Sequence, residues 1–234
     1  VVRLVKDGRL SEARLDVSVR RLLRLKFQLG LFDNPFVDEA QVPQVLGDPL
    51  SAAAGLASQK RAMTLLKNEG GLLPLAGRPK VFVKNVDPAK AAAYAEVVST
   101  PAEADLAILR LDTPWYPVET KNPFARNFHH GDLDFKGEAK AQILDLLAAV
   151  PTIVVLYMDR PAVIPEISAA AKALLVDFGA CDEAVLDVIF GRAAPGGKLP
   201  VEMPSSMEAV RNQKEDVPYD SENPLYRFGF GLSY

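Results

Sequence analysis

Four short, almost uninterrupted apolar runs constrain this chain more than any other feature. They are Val81-Phe82-Val83, Leu106-Ala107-Ile108-Leu109, Thr152-Ile153-Val154-Val155-Leu156-Tyr157 and Ala173-Leu174-Leu175-Val176-Asp177-Phe178. A strand with one wet face alternates apolar and polar residues; these do not, so both faces of each strand must be covered. Helical patterns near 88–95, 138–149, 162–171 and 182–190 separate them. Strands alternating with helices predict an α/β domain whose mostly parallel sheet is sandwiched between helices. At 234 residues and 49% apolar content the chain can bury one sizeable core or two small ones. No internal repeat or low-complexity tract interrupts the pattern.

Ahead of the strands the sequence is organised differently. Residues 11–29 read as an amphipathic helix, with Ser11 as its cap and Leu15, Val19, Leu22 and Leu23 at helical spacing. Gly30 stops it, and Phe32-Asp33-Asn34-Pro35 turns the chain away. Pro35, Pro43 and Pro49 mark a linker, after which a second helix is expected over 50–67. The expected division is therefore a helix and exit segment at 1–32, a linker and helix at 33–78, and the sandwich domain at 79–234.

Charge narrows the function. A net charge of −3 with 24% charged residues gives no reason to expect nucleic acid or an anionic membrane as partner. Residues 1–30 are locally basic, with Arg3, Lys6, Arg9, Arg14, Arg20, Arg21, Arg24 and Lys26, and are read as a solvated or domain-facing helix side. No apolar run reaches the ~18 residues of a membrane span, so no membrane partner is expected. The lone Cys181 lies at an expected helix start and is read as a small buried filler, which leaves the compartment undetermined. The sequence lacks an initiator methionine and opens inside a helical pattern, the reading expected of part of a longer protein.

Known signatures are excluded one by one. Gly191 through Gly196 has the outer spacing of a phosphate loop, but Lys198 comes one place late and Leu199 offers no hydroxyl for magnesium. No G-x-S-x-G elbow exists for a nucleophilic serine. Gly229-Phe230-Gly231 has no helix after it and cannot hold a dinucleotide. What remains at 182–200 is a helix closed at Gly191, a turn, and an extended exit at Lys198-Leu199-Pro200.

That exit and the terminus Tyr226-Arg227-Phe228-Gly229-Phe230-Gly231-Leu232-Ser233-Tyr234 resemble the second domain of glycoside hydrolase family 3. Leu22 through Asp33 resembles the linker leaving that family's catalytic barrel. Thr64-Leu65-Leu66-Lys67-Asn68-Glu69 with Leu73-Pro74-Leu75 resembles the segment entering the second domain. The resemblance implies exo-acting, retaining hydrolysis of terminal β-linked sugars, glucose foremost and xylose or N-acetylglucosamine as alternatives. It implies no metal or organic cofactor. It also implies that the aspartate nucleophile lies in an N-terminal barrel of the same protein, the partner this domain would complete. A non-catalytic module binding carbohydrate or protein is the alternative from another class. Oligomeric state is left open.

The chemistry is expected after the second run. Ligands of such sheets sit beyond the carboxyl ends of the strands, and the segment from Arg110 to Asp132 is long, aromatic and polar. Long loops in compact domains are often functional. Glycoside hydrolysis needs one carboxyl group as nucleophile or base and one as acid. The resemblance makes Glu119 the acid/base candidate, with an exposed structural glutamate as the other reading. The family's glutamate lies nearer the following Gly131-Asp132-Leu133-Asp134-Phe135, where this sequence has Arg126 or Asn127. Trp115, Arg126, His129 and His130 are the substrate-binding candidates: the indole is read either as stacking on a sugar face or as anchoring the loop on the core, and one of the histidines as a contact to a sugar hydroxyl. Adjacent histidines on an extended segment point to opposite sides and make poor partners for one metal ion.

Overall fold

The structure is a computed structural model describing residues 1–234, except for the side chain of Asn127. The chain divides into two compact units, Val1–Ser51 and Ala52–Tyr234. The first holds helices α1 (Val2–Lys6), α2 (Glu12–Gln28) and α3 (Val42–Val45). Ser11 caps α2 as expected, its hydroxyl accepting the Arg14 amide at 3.2 Å. No residue of these helices is buried, and Leu22, Leu25 and Phe27 are all more than half exposed.

Helix α4 (Pro49–Ala62) leads into the second unit, which contains a six-stranded sheet. Its strands are β1 (Thr64–Asn68), β2 (Lys80–Lys84), β3 (Glu96–Val97), β4 (Leu106–Asp112), β5 (Thr152–Tyr157) and β6 (Ala173–Asp177). Their order across the sheet is β1-β6-β5-β4-β2-β3. All neighbours are parallel except β1, which runs antiparallel to β6. The α/β expectation therefore holds. The helix expected over 50–67 does not: it ends at Ala62, and residues 64–68 are the edge strand β1. Thr64-Leu65-Leu66 is too short an apolar run for periodicity to separate strand from helix. Pairing with β6 decides it.

The sheet is covered on both faces because its strands are apolar on both. Ile108, Ile153, Val155, Ala173 and Leu175 enter one core with α5 (Pro88–Ala91) and α8 (Asp182–Ile189). Their neighbours Ala107, Leu109, Val154, Leu156, Leu174 and Val176 enter the other with α6 (Gly137–Ala149) and α7 (Pro165–Ala170). This is the two-residue alternation of a strand, with both sides dry. A last helix, α9, spans Met207–Asn212. Cys181 is exposed rather than buried, because it sits at the start of α8, ahead of the apolar face that begins at Ala184.

The two glycine-bearing motifs close this core. Leu199 donates its amide to the Phe230 carbonyl and accepts from Gly229, while Leu232 donates to Leu65 on β1 (each 2.7–2.9 Å). Gly197 passes directly over the end of α4. A Cβ there would meet the Ala62 carbonyl oxygen at 2.2 Å, and one on Gly231 would meet the Gly197 oxygen at 2.5 Å. Two backbones cross at this point with no room for a side chain. No helix among the described residues is long and apolar enough to cross a membrane.

Candidate functional site

Strand order places the site. From β2 the chain steps outward to β3, then returns to β4 and builds β5 and β6 on the other side, where β6 pairs with β1, the first strand of the chain. The switch lies between β2 and β4, where ligands of such sheets bind, and β4 ends there at Asp112. Its exit is held firmly. Arg110 donates to the Asp182 carboxylate (2.9 Å) and the buried Asp177 carboxylate (3.2 Å), and its carbonyl accepts from Asn85 (2.8 Å).

The segment that follows folds into an open cavity of about 720 Å³ lined by Trp115, Pro117, Val118, Glu119, Thr120, Lys121 and Arg126. Local bonds shape its wall. The Arg126 guanidinium donates to the Thr120 carbonyl (3.2 Å), and the Asn122 side chain accepts the Phe124 amide (3.0 Å). Three of the expected residues, Trp115, Glu119 and Arg126, therefore share one cavity. Glu119 is the sole carboxyl group among the lining residues. Trp115 is 45% exposed, while Phe124 and Phe128 are 75% and 66% exposed, so these aromatics do not anchor the segment on the core.

The histidines go elsewhere. His129 stacks flat against Trp115, with centroids 4.9 Å apart and planes 4° from parallel, and its Nδ1 pairs with the Asp159 carboxylate. It thus supports the indole from behind rather than lining the cavity. His130 donates from Nε2 to the Ala125 carbonyl (2.8 Å) and braces the backbone. Tyr116 is half-buried, its hydroxyl donating to the Asp134 carbonyl (2.9 Å). Near the segment's return, the Lys136 ammonium bonds Asp132 and holds that carboxyl below the usual range, aided by the charge of Arg211. Two contributors were not anticipated from the sequence: Asp159 and Arg160, immediately beyond β5. The available signal was a charged pair following a wholly apolar strand at its ligand-facing end.

Residues 85–234 match the family described as Glycosyl hydrolase family 3 C-terminal domain. The chain belongs to this family. Beta-glucosidase C of Emericella nidulans is 45% identical to it over 239 residues, covering all of this chain and 38% of that protein. The periplasmic beta-glucosidase/beta-xylosidase of Dickeya chrysanthemi is 39% identical over 238 residues, covering all of this chain and 36% of that protein. This family 3 domain chain thus spans little more than a third of the length of such relatives. The same fold is seen in the beta-glucosidase of Listeria innocua crystallised with isofagomine. There the TM-score is 0.72 and the identity 22%, over 100% of this chain and 41% of that one. The exo-1,3/1,4-beta-glucanase of a Pseudoalteromonas species gives a TM-score of 0.73 at 21% identity, over 99% and 35%. Among family 3 features, the glycine crossing and the terminal tail belong to core closure, and the cavity lies in the long segment after β4.

Proposed function

We propose that this chain supplies half of the active site of a retaining, exo-acting β-glycosidase, with Glu119 as its acid/base and β-D-glucosides as substrates. The observation that carries the reading is the cavity that sets a single carboxyl group beside an accessible indole. Trp115 offers a flat apolar surface suited to a sugar face, and Lys121 and Arg126 offer donors for hydroxyl groups. One carboxyl group cannot perform double displacement, which needs a second about 5–5.5 Å away. That second group would be an aspartate of a barrel domain in the longer protein.

The reaction then divides between the two domains. The barrel aspartate attacks the anomeric carbon, and the bond to the leaving oxygen breaks as Glu119 passes its proton to that oxygen. In the second step water gives a proton to the Glu119 carboxylate and its oxygen attacks the same carbon, freeing the aspartate and the sugar. A proton donor works best screened from water. Glu119 is exposed in this chain, and closure by the barrel would provide that screen.

The Glu119→Gln variant of the longer protein tests the assignment. Cellobiose, whose leaving group needs protonation, should be hydrolysed about 100-fold or more slowly, against a much smaller loss of the glycosylation rate on activated aryl glucosides. Azide should raise the variant's turnover by attacking the glycosyl-enzyme without base assistance. Cellobiose hydrolysis at the parental rate would remove Glu119 from the role. Aryl xylosides belong in the same assay, since the Dickeya chrysanthemi relative is named for both glucoside and xyloside cleavage.

A further inference from the structure

The segment after β4 leaves and returns to the sheet at one point, and that point is organised by one side chain. The Arg160 guanidinium donates to the carbonyls of Gly131 (3.0 Å), His130 (3.0 Å) and Asp132 (3.1 Å) on the returning stem, and to that of Pro114 on the departing stem. The stems also meet directly through the Tyr116 amide and the His130 carbonyl (2.8 Å). Thr113 ties the departing stem to β5: its hydroxyl donates to the Tyr157 carbonyl (2.9 Å) and lies 3.2 Å from that of Arg160. Every residue lining the cavity, from Trp115 to Arg126, lies between these stems in sequence. The preceding residue, Asp159, holds His129 against the indole.

We propose that Arg160 is a positioning residue for this site: it fastens both stems of the segment so that Trp115 and Glu119 are presented together. The physical reason lies in the donor. Arginine carries several N–H groups in a fixed planar fork, so one side chain can satisfy carbonyls from two stems at once. Lysine has a compact ammonium on a flexible stem and cannot reproduce the fork. Closing the segment at its base also restricts the separations its two ends can adopt, a loop-closure constraint on the residues between them. The proposal rests on the cavity being the sugar site, but its test does not depend on turnover.

Trp115 is the only tryptophan of the chain, so its fluorescence reports the segment directly, and the Tyr116 amide reports the contact between stems. In Arg160→Ala and Arg160→Lys, the Tyr116 amide should exchange hydrogen about tenfold faster or more, the factor carried by losing one charge-assisted bond. Acrylamide should quench Trp115 more strongly, while amides of β4 and β5 keep their protection. Millimolar guanidinium should partly reverse both changes in Arg160→Ala and neither in Arg160→Lys, where the ammonium fills the space. Unchanged exchange and quenching in both variants would overturn the proposal. So would equal loss of protection in β4 and β5, because Arg160 would then be holding the domain rather than the segment. If Arg160 variants free the segment while Glu119→Gln leaves cellobiose hydrolysis untouched, positioning stands and the acid/base assignment falls.

Discussion

Asp187 shows how a single buried charge is made tolerable in this domain. It is 6% exposed, accepts a hydrogen bond from the Tyr94 hydroxyl at 2.7 Å, and pairs with the Lys60 ammonium. Arg192 lies over the Tyr94 ring at 3.9 Å and adds a second positive charge. Burial pushes the Asp187 carboxyl up, yet the bonds from Lys60 and Tyr94 outweigh it and leave the group below its usual range. Deleting the carboxylate strands an ammonium and a hydroxyl with their partner gone. Asp187→Ala should therefore lose about 3 kcal/mol in urea denaturation, whereas Arg192→Ala, removing an exposed cation, should lose under about 1 kcal/mol. Tyr94 is pushed up to about 12, chiefly by burial and then by its bond to Asp187, and burial alone takes Tyr234 to about 12. For a group raised on folding, the stabilisation is complete below its unfolded value and is lost as pH rises through its folded value. The denaturation midpoint should thus fall between pH 10 and about 12, and Tyr234→Phe should flatten part of that fall.

At the scale of elements, the terminal tail works as an added edge for the sheet. Leu232 bonds β1 through Leu65, Phe230 pairs with Leu199, and the Tyr234 hydroxyl reaches the Val188 carbonyl at the end of α8. Removing residues 226–234 should expose the fully buried Leu65 and lower the melting temperature by several degrees, about what 1–2 kcal/mol does to a domain of this size. An unchanged melt would mean that the tail is not part of the core. Strands β4, β5 and β6 were legible because each is dry on both faces, which shows in sequence as an unbroken apolar run; β2 shows the same run over residues 81–83, although only Val81 of it is fully buried. Strand β1 was not, since Leu65 and Leu66 continue the apolar spacing of α4 and only the pairing with β6 selects the strand. At two residues, β3 leaves no pattern to read. The cavity-bearing segment with Trp115, Glu119 and Arg126 was legible because it is too long and too polar for a plain connection. Arg160 was hidden for the opposite reason: its partners are backbone carbonyls, and no side-chain pattern announces those. His129 and His130 were visible as unusual residues, but their placement depends on Asp159 and Ala125, which the sequence does not tie to them.

The whole chain spans little more than a third of the relatives named above, and its cavity-bearing segment leaves Trp115, Phe124 and Phe128 exposed. Exposed aromatic groups around a carboxyl group make physical sense where something covers them, and in the proposed enzyme that cover is the catalytic barrel. Uncovered, residues 115–128 should exchange amide hydrogens faster than β4 and β5, because few apolar contacts hold them beyond the Arg160 fastening. Protection equal to that of the strands would show the segment to be complete by itself. The most direct test of a divided active site is hydrolysis by the 234-residue chain alone. Incubated with nitrophenyl β-glucoside, β-xyloside and β-N-acetylglucosaminide, the purified chain should release no nitrophenol above the buffer rate, because its cavity holds one carboxyl group and double displacement needs two. Turnover that survives repeated purification and disappears in Glu119→Gln would place a complete catalytic site within this chain and contradict the account.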